Sequence, residues 1–175
     1  LAPAARKSMQ SSVEAVARAV ASGEVCYGIN TGFGAFANRV IPTGKTRKLQ
    51  LNLIRSHACG VGGSLPAPIV RRMLLLKANA LAAGFSGARP LMADMLLGLL
   101  NADVLPVVPS QGSVGASGDL APLAHIGLAL IGEGEAVRAG AKLTGADVPR
   151  AAGFEPLEPQ AKEGIVHEMA RQAEA

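Results

Sequence analysis

The chain has 175 residues, of which 49% are hydrophobic, 17% charged and 3% aromatic; that is enough apolar content for one domain with a proper core, and it excludes disorder. Its 17 Lys and Arg against 13 Asp and Glu leave a net charge of +4, and the densest basic cluster, Lys45, Arg47 and Lys48, has no aromatics interleaved to stack bases, so nucleic acid is not an expected partner. No apolar run reaches the roughly eighteen residues of a membrane span, because Lys77 interrupts the longest one.

In chain order, Val13, Val16 and Val20 recur at helical spacing and Gly23 supplies a stop, which predicts a helix over residues 3–22. The stretch CYGINTGFGAFANRVIP that follows is too rich in Gly and Asn for either regular period and reads as a loop over 26–42. A second helix is predicted from about Thr46 to Ala58, with Leu49, Leu53 and Ile54 on one side. Pro66 and Pro68 open a third, closed by Gly84, and Pro90 opens a fourth that ends before Pro106. After a second loop over 106–118, a fifth helix runs to about Gly132. EAVRAGAKLTG alternates weakly around a Gly turn and predicts a small hairpin near 135–144. The tail from Phe154 holds two prolines and then returns to helical composition. The fold class is therefore mainly α with one small hairpin, a single domain over 1–175 without repeat or linker.

The start, LAPAARKSMQSS, lacks the order of a signal peptide. Cys26 and Cys59, the two cysteines, are accordingly expected as free thiols in a reducing cytoplasm. Beginning at Leu1 without Met, the chain is expected to be trimmed or a piece of a longer protein.

The glycine-rich loops do not carry nucleotide chemistry. GSVGASG has the spacing G-x-x-G-x-x-G with no Lys-Ser/Thr after it, and GINTGFG lacks the strand–turn–helix setting of a dinucleotide fingerprint. Metal binding fares no better. Cys26, His57, Cys59, His125 and His167 include no C-x-x-C or H-x-x-x-H pair, and a helix would point His57 and Cys59 in different directions. Asp94 and Asp119 lie in the most apolar surroundings and read equally well as a solvated position and a helix N-cap.

Local backbone chemistry remains for GSVGASGDL at 112–120. In Ala116-Ser117-Gly118 the amide nitrogen of Gly118 can approach the carbonyl carbon of Ala116, since neither residue carries bulk. Attack closes a five-membered ring, and loss of two waters, one involving the Ser117 hydroxyl, leaves a methylidene-imidazolone with an electrophilic exocyclic carbon. The three residues alone favour a plain loop and helix cap, since Ala-Ser-Gly occurs by chance in many loops.

The flanks carry more. YGINTGFGAFAN at 27–38, FSGARP at 85–90, NADVLPVVPSQGS at 101–113 and GSVGASGDLAPLAH at 112–125 occur in that order. Together they resemble the aromatic amino acid ammonia-lyases, the family that acts on histidine, phenylalanine and tyrosine. The resemblance implies the N-terminal, prosthetic-group-bearing part of that helical fold. It also implies a methylidene-imidazolone made from Ala116, Ser117 and Gly118, with no metal or nucleotide. Tyr27 is then the base that removes the substrate's β-proton. A free phenol titrates near ~10, so that role calls for surroundings that favour the phenolate, such as helix N-termini. The plain reading of Tyr27 is a loop aromatic covering the core.

RSHACGVG at 55–62 resembles the histidine-specific members, where a Ser-His pair stands. By that match His57 meets the substrate imidazole or assists proton transfer. The plain reading of His57 is a helix histidine satisfied by a backbone carbonyl. The expected substrate is L-histidine and the product urocanate, with related aromatic amino acid lyases and aminomutases as the rival. The expected assembly is a homo-oligomer, a tetramer by resemblance, with a site shared between subunits and the two glycine-rich loops close together.

The resemblance continues through PLEPQAKEG, but residues 161–175 depart from the family pattern: Met169 stands where the family's Asn is expected. Family members are roughly three times longer. The chain is thus expected to be an incomplete part of the enzyme, or else a shortened, non-catalytic homologue serving as a structural or assembly module.

Overall fold

The computed structural model describes residues 1–166 apart from 24, 28, 33–38 and 114–119. Proline opens three of its helices: α1 (Pro3–Ser22), α3 (Ala67–Ala82) and α4 (Pro90–Asn101) each carry Pro in the first two positions. The missing N–H costs nothing there, because the first-turn amides of a helix have no internal partner. Gly23, in the left-handed region at φ 72°, ends α1. A short 3₁₀ turn, Thr43–Lys45, leads into α2 (Thr46–His57), and α5 (Leu120–Leu130) follows the second loop. All five helices and their limits agree with the periodicity of the sequence.

α3 and α4 form a helical hairpin at the centre. Leu74, Ala78 and Leu81 of α3 meet Met92, Met95, Leu96 and Leu99 of α4, and Ile126, Ala129 and Leu130 of α5 join the same cluster. Each large side chain so buried contributes about 1.5–3 kcal/mol. The turn between α3 and α4 needs glycine. Gly84 has φ 82°, and a Cβ there would lie 2.1 Å from Ser8 Oγ of α1, so a side chain would push α1 off the hairpin.

The strands exceed the expected hairpin. β4 (Glu135–Arg138) and β5 (Ala141–Thr144) form it, but β2 (Leu105–Pro106) adds a third strand in the order β2-β4-β5. A separate antiparallel pair joins β1 (Val61–Ser64) to β3 (Pro109–Gln111) with a bulge between its two registered ends. The loop predicted over 106–118 therefore holds strand at its start. VGGS and PSQ have neither alternation nor β-branched runs, so tertiary pairing, not propensity, makes them strands.

Two short helices follow, α6 (Asp147–Arg150) and α7 (Glu163–Val166). Glu163 ties the C-terminal segment down. It is 1% exposed, and its carboxylate accepts from Arg89 Nε at 2.7 Å, Arg89 Nη2 at 2.7 Å, the Arg89 amide at 3.1 Å and the Gln160 amide at 2.9 Å. Four donors on two oxygens satisfy a buried charge that would otherwise be strongly destabilising. Beside it, Gly164 donates its amide to Gln50 Oε1 of α2 at 2.7 Å.

α5 turns most of its residues into the core, whereas the α3 run leaves Ile69, Leu75, Leu76 and, after the helix, Phe85 exposed.

The β4–β5 turn tests the local reading. Ala139 and Gly140 sit at φ 49° and 81°, a pair of positive values that hairpins favour and that Asn tolerates better than Ala. Ala139→Asn is expected to raise Tm by about 2–4 °C, on the order of 1 kcal/mol at this chain length. A lower Tm in a thermal melt would contradict this account of the turn.

Candidate active site

His57 is the last residue of α2, a helix anchored by the buried Gln50, Leu53 and Ile54. Its half-buried ring has Nδ1 at 2.9 Å from the Leu53 carbonyl oxygen and 3.2 Å from Ser56 Oγ, while the Ser56 hydroxyl donates to the same carbonyl at 2.9 Å. A carbonyl only accepts, so Nδ1 carries the hydrogen and, in the neutral ring, Nε2 carries the lone pair. The plain reading of a histidine satisfied by backbone thus describes Nδ1. The chain then turns at once, the Cys59 amide donating to the His57 carbonyl at 2.8 Å. Cys59 therefore lies past the helix end, and the expectation that one helix separates it from His57 is corrected: the turn, not helical rotation, parts them.

Gly60 is the meeting point. A Cβ built on it would lie 3.0 Å from His125 Nε2, 3.1 Å from Pro109 Cβ and 3.3 Å from the Gln111 carbonyl oxygen. A Cβ built on Gly112 would in turn lie 3.0 Å from both Ala121 Cβ and Gly60 Cα. Three segments thus converge: the turn after His57, the strand leading towards 114–119, and the first turns of α5 leading away. The β1–β3 pairing and the bond from the Leu65 amide to the Val108 carbonyl at 2.8 Å extend the same seam. Ala116, Ser117, Gly118 and Asp119 lie outside the described residues, as do His167 and Met169; the stem on either side of the first four is described and narrow.

Two further ties align α2 with α5. Arg55 forms a two-point pair with Glu133, at 2.8 and 2.5 Å, and this guanidinium holds the Glu133 carboxyl below the usual carboxylate range. The Gly60 amide donates to His125 Nε2 at 3.1 Å. Burial pushes the His125 imidazole below its ordinary value, which favours the neutral ring that can accept this bond. Residue spacing could not reveal this contact, because nothing in a linear chain links positions 60 and 125.

Tyr27 sits in a turn where the Cys26 amide donates to Asn30 Oδ1 at 2.8 Å and the Asn30 amide to the Cys26 carbonyl at 3.2 Å. The Tyr27 side chain is 51% exposed, so it does not serve as a cover for the core. Asp94 resolves as structural: its two oxygens pair with both Arg6 terminal nitrogens at 2.9 Å and join α4 to α1. Among the described residues no three His, Cys, Asp or Glu side chains gather to hold a metal ion, and no helix is long and apolar enough to cross a membrane.

The model of the family described as aromatic amino acid lyase matches residues 1–166. The chain belongs to the aromatic amino acid lyase family. Relatives agree. The histidine ammonia-lyase of Geobacillus sp. (strain WCH70) is 51% identical over 165 residues, covering 93% of this chain and 32% of its own length. That of Anaeromyxobacter sp. (strain K) is 52% identical over 172 residues, covering 94% and 34%. Among solved structures, histidine ammonia-lyase from Trypanosoma cruzi superposes with TM-score 0.83 at 35% identity, over 94% of this chain and 31% of that one. Tyrosine aminomutase from Streptomyces globisporus gives 0.85 at 34% identity, over 95% and 31%. The chain spans about a third of the length of these relatives. It carries the helical fold of the N-terminal part of these family members, with its small antiparallel sheets.

The Gly60 contact makes a sharp prediction about the seam. Gly60→Ala is expected to lower Tm by about 2–6 °C, the overpacking cost of a methyl group with three neighbours inside 3.4 Å. Gly63→Ala, where a Cβ meets nothing within 4 Å, is expected to leave Tm nearly unchanged. Equal effects in differential scanning calorimetry would refute the tight approach.

Proposed function

We propose that the chain is the N-terminal part of a histidine ammonia-lyase that eliminates ammonia from L-histidine to give urocanate. The observation that carries the proposal is the convergence at Gly60, where the segment bearing His57 packs against both flanks of Ala116-Ser117-Gly118. The names of the relatives at about 50% identity support the same substrate.

The residues fit a prosthetic group built from the chain itself. Ala116, Ser117 and Gly118 have the small side chains and the leaving hydroxyl that ring closure requires. On either side of them Gly112 and Ala121 approach closely, and a Cβ built on Gly112 would lie 3.0 Å from Ala121 Cβ. A methylidene-imidazolone there would supply an electrophilic carbon for the substrate amine.

The other roles fall to this chain's own side chains. His57, with Nδ1–H committed to the Leu53 carbonyl, offers Nε2 as the nitrogen that accepts an N–H of the substrate imidazole or holds a proton in transit. Tyr27 is the base for the β-proton, through its phenolate oxygen. Binding the substrate so that both groups reach it is the larger part of the rate gain, because orientation can remove several kcal/mol from a barrier.

The active protein is proposed as a cytoplasmic homo-oligomer, a tetramer, with the outward face of α3 as one contact. Leu75 and Leu76 of α3, at 51% and 66% exposure, and Phe85 just after it, at 79%, are large apolar side chains of the kind that interfaces cover. Light scattering at micromolar concentration is expected to show association, and a clean monomer would oppose it.

Intact mass spectrometry tests the prosthetic group: the chain is expected to weigh two waters less than its sequence, and Ser117→Ala to restore the full mass. A protein of the relatives' full length carrying this chain is expected to convert L-histidine to urocanate, followed by its ultraviolet absorbance. Full mass together with no turnover would reject the proposal. Formation of a β-amino acid in place of urocanate would favour an aminomutase, a reading supported by the likeness to tyrosine aminomutase.

A further inference from the structure

We infer that His125 is a positioning residue: its imidazole, on the helix that follows Ala116-Ser117-Gly118 in the chain, fixes Gly60 and with it the end of α2 that carries His57. The backbone supplies the need. The registered pairing of β1 with β3 begins at Val61 opposite Gln111, so the half-buried Gly60 amide has no place in that ladder and requires another acceptor. His125 Nε2 is that acceptor, at 3.1 Å. Its helix is a firm base, since Ala121, Ala124, Ile126 and Gly127 around it are buried.

Direction matters as much as contact. Arg55 is tied to Glu133 beyond the end of α5, and Gly60 is tied to His125 in its middle. Passing from Arg55 through His57 to Gly60, the chain therefore travels along α5 towards the end that adjoins Ser117. His125 stops that travel at one place, three residues past His57. A neutral ring is needed, because an imidazolium has no lone pair to accept from an amide. The surroundings allow it. α5 holds no other titratable residue and β3 none, while the facing segment contributes Cys59 and the last turn of α2 contributes Arg55 and His57, with Arg47 and Lys48 at the far end of that helix.

The catalytic half of this inference rests on the proposed histidine elimination; the structural half does not. In the 15N-labelled chain at neutral pH, His125 Nε2 is expected to show the shift of an unprotonated ring nitrogen, and the Gly60 amide to exchange slowly. His125→Gln keeps an acceptor near Nε2 and is expected to preserve Gly60 protection. His125→Leu, of similar bulk, is expected to speed Gly60 exchange by about tenfold, or about 1.4 kcal/mol, within the worth of one hydrogen bond. In the full-length protein His125→Leu is expected to lower kcat about tenfold with a smaller change in KM, and His125→Gln to recover most of it. A protonated Nε2 in the wild-type spectrum overturns the inference, even if the Leu variant fails to fold. So does equal behaviour of the Gln and Leu variants. Absence of histidine turnover in the wild type rejects the proposed reaction instead, and Gly60 exchange then still decides the positioning role.

Discussion

The contact on which the candidate site depends is one without a side chain. A methyl group on Gly60 would lie 3.0 Å from His125 Nε2, 3.1 Å from Pro109 Cβ and 3.3 Å from the Gln111 carbonyl oxygen, so a neighbour would have to give way. Close backbone approach is the use of glycine that no other residue can supply. It brings the turn after α2 against the strand entering residues 114–119 and the helix leaving them. Elements far apart in sequence thereby share one seam. Gly112 comes up against Gly60 across it, where a Cβ on Gly112 would lie 3.0 Å from Gly60 Cα.

That seam is held by a rigid interior. The α3–α4 hairpin and α5 bury methionine, leucine and alanine in one continuous cluster, and close-packed cores of this kind transmit position because side chains cannot be displaced without loss of contacts. The polar ties sit where the elements need registration. Arg55–Glu133 and Gly60–His125 align α2 with α5, and Glu163 with Arg89 holds the segment after α6 against the start of α4. Only the last of these is a buried charge, and it is the one saturated with donors. Exposed pairs such as Arg6–Asp94 contribute little to stability, but they constrain the angle at which α1 lies on the hairpin.

This arrangement gives the proposed chemistry a physical basis. A nucleophile or base on a free loop would sample many positions, whereas His57 sits at the end of an anchored helix with one ring nitrogen already engaged. Under the proposed function Nε2 is the nitrogen that meets the substrate. Tyr27, by contrast, is presented outward from a turn built on Asn30. Under the proposed function its role belongs to an assembled protein in which more surface closes over it, in keeping with a chain that spans about a third of its relatives.

Much of this was legible in the residues. The helices could be read because apolar periodicity and proline and glycine punctuation act over a few residues, and the hairpin because its turn is local. Family membership was legible in four ordered motifs, and Ala116-Ser117-Gly118 was recognisable because ring closure needs only neighbours in the chain. The pairing of β1 with β3, the third strand at Leu105, the role of Asp94 as a partner of Arg6, and the bond from Gly60 to His125 were not legible. VGGS and PSQ carry no strand preference of their own, and an aspartate on an apolar helix looks alike whether solvated or paired. Sequence by itself determined what each short segment could become. Tertiary structure decided which segments meet, because contacts between residues 65 or 88 positions apart depend on how the whole chain packs, and no local pattern encodes that.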